Sequence, residues 1–196
     1  MPFRPRLRSR LALAERSVTE ALRVFASSPD RLESRVVPIA SSPDALADRS
    51  VLVLADERTL QPEPPAAAML VFDPADEALS SLRHDVGAGD WEHQAGGAAV
   101  CRIGALRGGE LIALASMDPP EGHLARIRVL VAPTFRQRGL GHLVLHRLAT
   151  RMLYDGLLPY ARMTAHDLSA RALATRTGFV TLARQLSAMG VSPSFA

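Results

Sequence analysis

The chain has 196 residues, of which 47% are hydrophobic. That is enough apolar material for one folded domain with a sizeable core, and it excludes a disordered chain. No apolar run approaches the roughly 18 residues of a membrane-spanning helix, and the single cysteine, Cys101, excludes an intrachain disulfide. The formal net charge is only +3. We therefore expect a cytoplasmic protein that does not contact a membrane.

All 23 basic residues are arginine, which base composition of a GC-rich genome explains most simply. These arginines cluster only in residues 1–10. Nucleic-acid recognition needs basic clusters with interleaved aromatic residues, whereas a short basic terminus is usually a solvated chain end. We predict no nucleic-acid partner.

The first half of the chain alternates short apolar runs with turn residues. An imperfect apolar stripe predicts a helix over 11–26, and three prolines make 61–65 a connector. Acidic residues at its start predict a helix over 75–86, which Gly87 and Gly89 should end. Strands are predicted at 36–40, 51–55 and 69–72.

The second half begins with a predicted antiparallel meander. Its strands cover 98–106, 111–117 and 124–131, and turn residues separate them. Alternation in the third strand places Ile127, Val129 and Val131 on one face and Arg126 and Arg128 on the other. Helices are then predicted over 140–155 and 168–177, with strands over 160–165 and 179–189.

A glycine-bearing turn, Arg136-Gln137-Arg138-Gly139-Leu140-Gly141, lies between the third meander strand and the long helix. A helix start carries unpaired N–H groups and partial positive charge, and glycines let phosphates approach those groups. A dinucleotide fingerprint needs three glycines in a parallel unit, and a triphosphate-binding loop needs a lysine, which the chain lacks. The turn therefore predicts a pyrophosphate site of another kind.

Three features in order resemble the GNAT acyltransferase superfamily: the meander, the turn Arg136-x-x-Gly139-x-Gly141, and the segment His166-Asp167-Leu168-Ser169-x(8)-Gly178-Phe179. The resemblance covers about residues 70–190. It implies an α/β layered fold with a mixed, mostly antiparallel central sheet and helices on both faces. The family's strands four and five, here 124–131 and 160–165, would splay apart.

The same resemblance suggests two parts in one domain. Residues 66–196 would form the GNAT-like acetyltransferase core, and residues 1–65 an N-terminal extension packed on it. GNAT-like domains often pair, so a homodimer stays an open alternative to a monomer.

The resemblance implies acetyl-CoA as co-substrate and no metal. Pantetheine amides would pair with the backbone near Leu130 and Val131, and the turn would hold the pyrophosphate. Ser169 would bond to the cofactor or cap its own helix, for which Asp167 is the predicted N-cap. His142 and His146 are expected on a solvated helix face. The cofactor-binding residues implied are Leu130, Val131, Arg136, Gln137, Arg138, Gly139, Leu140, Gly141, His142 and Ser169.

The resemblance implies direct acetyl transfer from acetyl-CoA to an amine, but the usual acid and base are missing. Ala174 stands where the family has a tyrosine acid, and arginines occupy the strand positions that often hold a glutamate base. Glu92, His123 and Tyr160 are the catalytic candidates, with Glu121 beside them. Each also has a structural interpretation, and water is an alternative base.

The missing acid and base leave a second interpretation open, a CoA-binding or structural GNAT-like module without transferase activity. For an enzyme, the acceptor is a small-molecule or peptide amine whose identity the sequence does not specify. Asp90 and Glu92 hint at a cationic one.

Overall fold

Seven strands and four helices make up the part of the chain that the computed structural model describes, which is residues 46–65, 69–94 and 99–188. The strands are β1 (Leu46–Leu54), β2 (Met69–Phe72), β3 (Cys101–Arg107), β4 (Glu110–Met117), β5 (Leu124–Val131), β6 (Leu158–Thr164) and β7 (Val180–Ala188). The helices are α1 (Asp76–Val86), α2 (Ala88–Gln94), α3 (Leu140–Tyr154) and α4 (Leu168–Thr177). A short 3-10 turn, Pro133–Phe135, precedes α3.

The strands form one sheet in the order β2-β3-β4-β5-β6-β1-β7. Every neighbouring pair is antiparallel except β5 and β6, which are parallel. This confirms the predicted GNAT-like sheet. β1 comes from the predicted N-terminal extension, yet it lies inside the sheet. The helix predicted over 11–26 and the strand over 36–40 lie outside the described residues, and the domain boundary at residue 65 stays a prediction.

Helices pack on both faces of the sheet because successive side chains of each central strand point to opposite faces, and both faces carry apolar residues. On one face, α3 buries Leu140, Val144, Leu148 and Met152 against Ile127 and its neighbours. On the other face, α1 buries Leu79 and Leu82 against β4 and β5. The two layers enclose the sheet and fix where β5 ends.

Several predicted elements match the structure closely. The bounds of β5 and α4 are those predicted from the sequence, and α1 differs by one residue. One prediction was wrong: Gly87 ends α1, but Gly89 lies inside α2. Glu92 is therefore on a helix. A seven-residue helix is too short to show a helical period.

β5 and β6 pair only at their beginnings. The parallel register joins Leu124 to Leu158, Ala125 to Pro159 and Arg126 to Tyr160, and it stops there. Beyond that point β5 stays paired with β4, and β6 stays paired with β1. The two strands therefore diverge, as predicted for this fold, and a gap opens within the sheet.

Candidate functional site

The gap between β5 and β6 is a cleft of about 810 Å³. Its walls are the diverging halves of the two strands, the start of α3 and the first turns of α4. Predicted cofactor-binding residues that line it are Leu130, Val131, Arg136, Gln137, Gly139, Leu140, Gly141, His142 and Ser169. The structure thus brings these residues to one site.

The turn before α3 presents bare backbone N–H groups to this cleft. Gly139 is the N-cap residue with φ of +80°, and Gln137 has φ of +61°. The N–H of Leu143 donates to the carbonyl of Gly139 at 3.0 Å. The N–H groups of the three residues between them have no acceptor within the helix. Together with the helix dipole they form a site for an anion.

Gly141 keeps three elements close together at the cleft floor. A Cβ atom placed there would lie 3.4 Å from Cδ2 of Leu173 and 3.4 Å from Cγ2 of Val131. A larger side chain would push α3 away from β5 and α4. The second glycine of the turn therefore leaves room for close packing as well as access to the helix start.

The two arginines of the turn are both engaged by protein groups. Arg136 donates from Nε to the carbonyl of Val131 at 3.2 Å and from a terminal nitrogen to Asp90 at 3.2 Å. The guanidinium of Arg138 lies 5.4 Å from the centre of the Phe135 ring, a cation–π contact. Both remain exposed enough to reach a phosphate.

His142 and His146 do not lie on a solvated face, so that prediction was wrong. His146 is buried and His142 is half-buried. Within the described part of the chain, Nε2 of His142 and Nδ1 of His146 are buried without a hydrogen-bond partner. Burial lowers the pKa of both imidazoles, and the second histidine lowers that of His142 further. Residues 61–63 lie beside His146. The apolar periodicity of α3 gives no information about a segment so distant in the sequence, so it could not predict that this segment contacts the helix at His146.

The three catalytic candidates all lie outside the cleft. Glu92 is exposed and bonds Arg83 at 3.0 Å, and His123 is exposed at the start of β5. Tyr160 packs beside Leu54 and Leu124, where burial raises the pKa of its phenol. None of the three lines the cleft. Their catalytic assignment stays a prediction.

Arginine side chains line the cleft in place of these candidates. Arg126, Arg128 and Arg162 all line it, and so does Ala174, at the position of the family's tyrosine. Asp167 is confirmed as the N-cap of α4, because its carboxylate accepts from the N–H of Ala170 at 2.8 Å. The sequence placed Arg126 and Arg128 on one face but did not place Arg162 beside them. Alternation in β6 could have indicated this once the register with β5 was known.

Two classes of feature are missing from the described ranges. No group of three or more His, Cys, Asp or Glu side chains in them could hold a metal ion. In the same ranges, no helix has the length and apolar character to cross a bilayer.

Comparisons with known proteins agree with this geometry. Among proteins of curated function, none matches the sequence. Among solved structures, the chain is similar to a protein assigned to the GNAT acetyltransferases from Novosphingobium aromaticivorans, at 20% identity and a TM-score of 0.55. That match covers 78% of this chain and 69% of the other.

Two further structures have the same fold. A GNAT acetyltransferase from Colwellia psychrerythraea matches at 14% identity and a TM-score of 0.57, over 73% of this chain and 56% of its own. A GCN5-related N-acetyltransferase from Kribbella flavida matches at 20% identity and a TM-score of 0.53, over 75% of this chain and 61% of its own. The chain thus spans less than two thirds of either protein, and at these identities the likeness shows the fold alone.

The sequence itself provides the stronger link. Residues 67–179, more than half of the chain, match the sequence model of the Acetyltransferase (GNAT) family. This range includes the meander, the glycine-bearing turn and both helices that border the cleft. The chain belongs to the GNAT acetyltransferase family.

Proposed function

We propose that the protein transfers an acetyl group from acetyl-CoA directly to a primary amine. One observation carries this proposal: the gap between β5 and β6 runs into the bare N-terminus of α3. A long ligand with a pyrophosphate at one end and amides along its length matches both features.

The cleft has the length and the hydrogen-bonding edge that such a ligand needs. From Arg126, where pairing with β6 ends, to Val131 is five residues, or about 16 Å of strand. Within the described residues, this edge of β5 pairs with no other strand. Its backbone groups can bond the pantetheine amides as an added strand would. The pyrophosphate would then reach Gly139 to His142, with Arg136 and Arg138 beside it.

Proximity supplies most of the catalysis in this proposal. The neutral amine attacks the thioester carbonyl carbon, the carbon–sulfur bond breaks, and the amine proton passes to water while the thiolate is protonated. Holding amine and thioester together removes much of the entropic barrier. Because Glu92, His123 and Tyr160 do not line the cleft, water is the proposed proton acceptor.

The cofactor site is tested by one substitution in the turn and by a matched control substitution elsewhere on α3. Gly139→Asp puts a carboxylate where the pyrophosphate would bind, and Gly156→Asp puts the same side chain at the other end of α3. The two glycines have φ of +80° and +79°, and a Cβ atom meets no neighbour at either. Both variants should therefore lose a similar, small part of the stability, about 1 kcal/mol.

Acetyl-CoA should raise the melting temperature of the parent and of Gly156→Asp, and it should leave that of Gly139→Asp unchanged. Differential scanning fluorimetry measures these shifts. Acetyl-CoA is added at about 1 mM, on the order of the upper range of typical KM values. An equal shift in all three proteins would show that the turn does not hold the cofactor.

A second candidate function is a CoA-binding module without turnover. Ala174 in place of the tyrosine acid favours it, since no side chain there can protonate the thiolate. Thiol release from acetyl-CoA, followed with a chromogenic disulfide over a panel of amines, separates the two. Tight CoA binding without thiol release on any amine would select the module.

A further inference from the structure

Three arginines meet on one wall of the cleft, on the sheet face that carries α1. Arg126 and Arg128 come from β5, and Arg162 comes from β6. Their strand positions alternate with Ile127, Ala161 and other residues packed under α3, so they project to the opposite face. The turn that would bind pyrophosphate is at the far end of the same cleft. This cationic wall therefore lies near the thioester end.

Asp118 neutralises one of these charges. Arg128 donates from Nε to a carboxylate oxygen of Asp118 at 3.1 Å, and its terminal nitrogen bonds the same oxygen. Both side chains are mostly buried, with exposures of 15% and 19%. The pair is a fixed part of the wall and leaves Arg128 little capacity for a ligand.

Arg126 is not satisfied in this way. In the described part of the chain its Nε is buried without a hydrogen-bond partner, and its guanidinium forms no ion pair. Burial, and then the charge of Arg128, lowers the pKa of this guanidinium. The carboxylate of Asp118 offsets part of this lowering, but it is hydrogen-bonded to Arg128 and not to Arg126. A half-buried guanidinium without a hydrogen-bonded anion is costly until an anion arrives to pair with it.

The position of Arg126 indicates which ligand would bring that anion. Arg126 and Tyr160 are the last paired residues before the strands diverge, about 16 Å of strand from Val131, where β5 ends ahead of the turn. The pyrophosphate would occupy the turn, so its charge does not reach this point. The remaining reactant is the acceptor amine.

We infer that the acceptor is an amine that also carries a carboxylate, and that Arg126 binds this carboxylate beside the thioester. The inference rests on the proposed function. A guanidinium fork suits a carboxylate because it donates two parallel hydrogen bonds. The carboxylates that hinted at a cationic acceptor are already paired, Asp90 with Arg136 and Glu92 with Arg83.

The test uses amino acids and dipeptides in matched pairs, each as the free acid and as its C-terminal amide. The full chain is assayed for thiol release from saturating acetyl-CoA. We expect kcat/KM for the best acid to exceed that for its amide by about tenfold or more, the discrimination of one charge-assisted contact. In Arg126→Gln this ratio should fall to about one, while the KM for acetyl-CoA changes less than about twofold. Arg126→Lys, which keeps the charge but loses the fork, should fall between them.

Arg102→Gln is the matched control, because Arg102 is also a half-exposed strand arginine but lies on β3 outside the cleft. It should behave as the parent does.

Two outcomes would overturn the inference and leave the proposed function intact. One is acetylation of amines without preference for the acid. The other is an Arg126→Gln variant whose KM for acetyl-CoA rises as much as its preference for the acid falls. If no amine reacts, the proposed function fails, and calorimetry of the same acids and amides on the CoA-bound protein decides the inference. Equal or no binding of acid and amide would overturn it.

Discussion

Two histidines of α3 are withdrawn from solvent, His146 almost fully and His142 in part. His146 is 8% exposed, and His142 lies 6.4 Å from it, ring centre to ring centre. Burial lowers the pKa of both. Their protonation therefore opposes the folded state.

We expect the free energy of unfolding to decrease as the pH falls below the ordinary histidine pKa of about 6.5. The lowered folded-state pKa means that the unfolded chain binds more protons in this range, so stability rises with pH. The contribution is fully present above pH about 7.5 and is lost below it, with a slope of at most about 1.4 kcal/mol per pH unit for each histidine. Urea unfolding at pH 5, 6, 7 and 8 measures it.

His146→Gln should flatten this pH dependence relative to the parent, because it removes one of the two imidazoles that take up a proton when the chain unfolds. His84→Gln is the control, because His84 is exposed on α1. An unchanged slope in His146→Gln would contradict the assignment.

At the scale of elements, the end of α4 is locked against the segment that follows β1. Gly178 ends the helix with φ of +101°, and its N–H donates to the carbonyls of Ala174 and Thr175 at 3.1 Å. The N–H of Gln61 donates to the carbonyl of Thr177 at 3.0 Å. A Cβ atom at Gly178 would overlap the carbonyl of Thr59. Both the backbone angle and the space require glycine.

Gly178→Ala should lower the free energy of unfolding by about 3 kcal/mol or more, the sum of left-handed backbone strain and a clash with backbone. Gly156→Ala is the matched control, because its φ is also positive but its Cβ meets nothing within 4 Å. It should lose only about 1 kcal/mol. Chemical denaturation of both variants measures the difference, and equal losses would show that the contact with Thr59 yields freely.

Elements with strong local signals were predictable from the sequence. Alternation fixed β5, and the cap residues Asp167 and Gly178 fixed α4, because these signals act within a few residues. The position of β1 was not predictable, since pairing with β6 and β7 joins residues more than a hundred positions apart. Local pattern carries no information about that pairing.

The candidate site divides in the same way. The phosphate-binding turn is one continuous segment whose glycines and helix start are visible in the sequence. The arginine wall and the placement of Tyr160 depend on the register of β5 with β6. A shift of one residue would reverse which side chains face the cleft. The sequence therefore indicated the proposed cofactor end of the site and the shared face of Arg126 and Arg128, but it did not indicate that these arginines line the cleft with Arg162.

At the scale of the whole molecule, β1 connects the sheet to its last strand. It pairs with β6 on one side and with β7 on the other, and among the described strands β7 has no second neighbour. The segment Val51 to Leu54 is at most 8% exposed. The family match, 67–179, includes neither β1 nor β7. The sheet of this chain is thus completed by residues from both ends of the described region.

A fragment of residues 66–196, the core predicted from sequence, should not fold on its own. It lacks β1, so β6 keeps only its short pairing with β5, and β7 loses the strand with which it pairs. Burial of the four apolar side chains from Val51 to Leu54 contributes roughly 6–12 kcal/mol. This is comparable with the whole stability of a domain, about 5–15 kcal/mol. Circular dichroism during urea unfolding should show one cooperative transition for the full chain and none for the fragment.

Adding a peptide of residues 44–56 to the fragment distinguishes loss of β1 from a general effect of truncation. If β1 is the missing part, millimolar peptide should restore a cooperative transition, because an added strand can pair with both exposed edges. A peptide with Val51 and Val53 changed to aspartate should not, since these side chains face the α3 layer. A fragment that unfolds cooperatively without any peptide would show that residues 66–196 are an independent domain and that β1 only covers it.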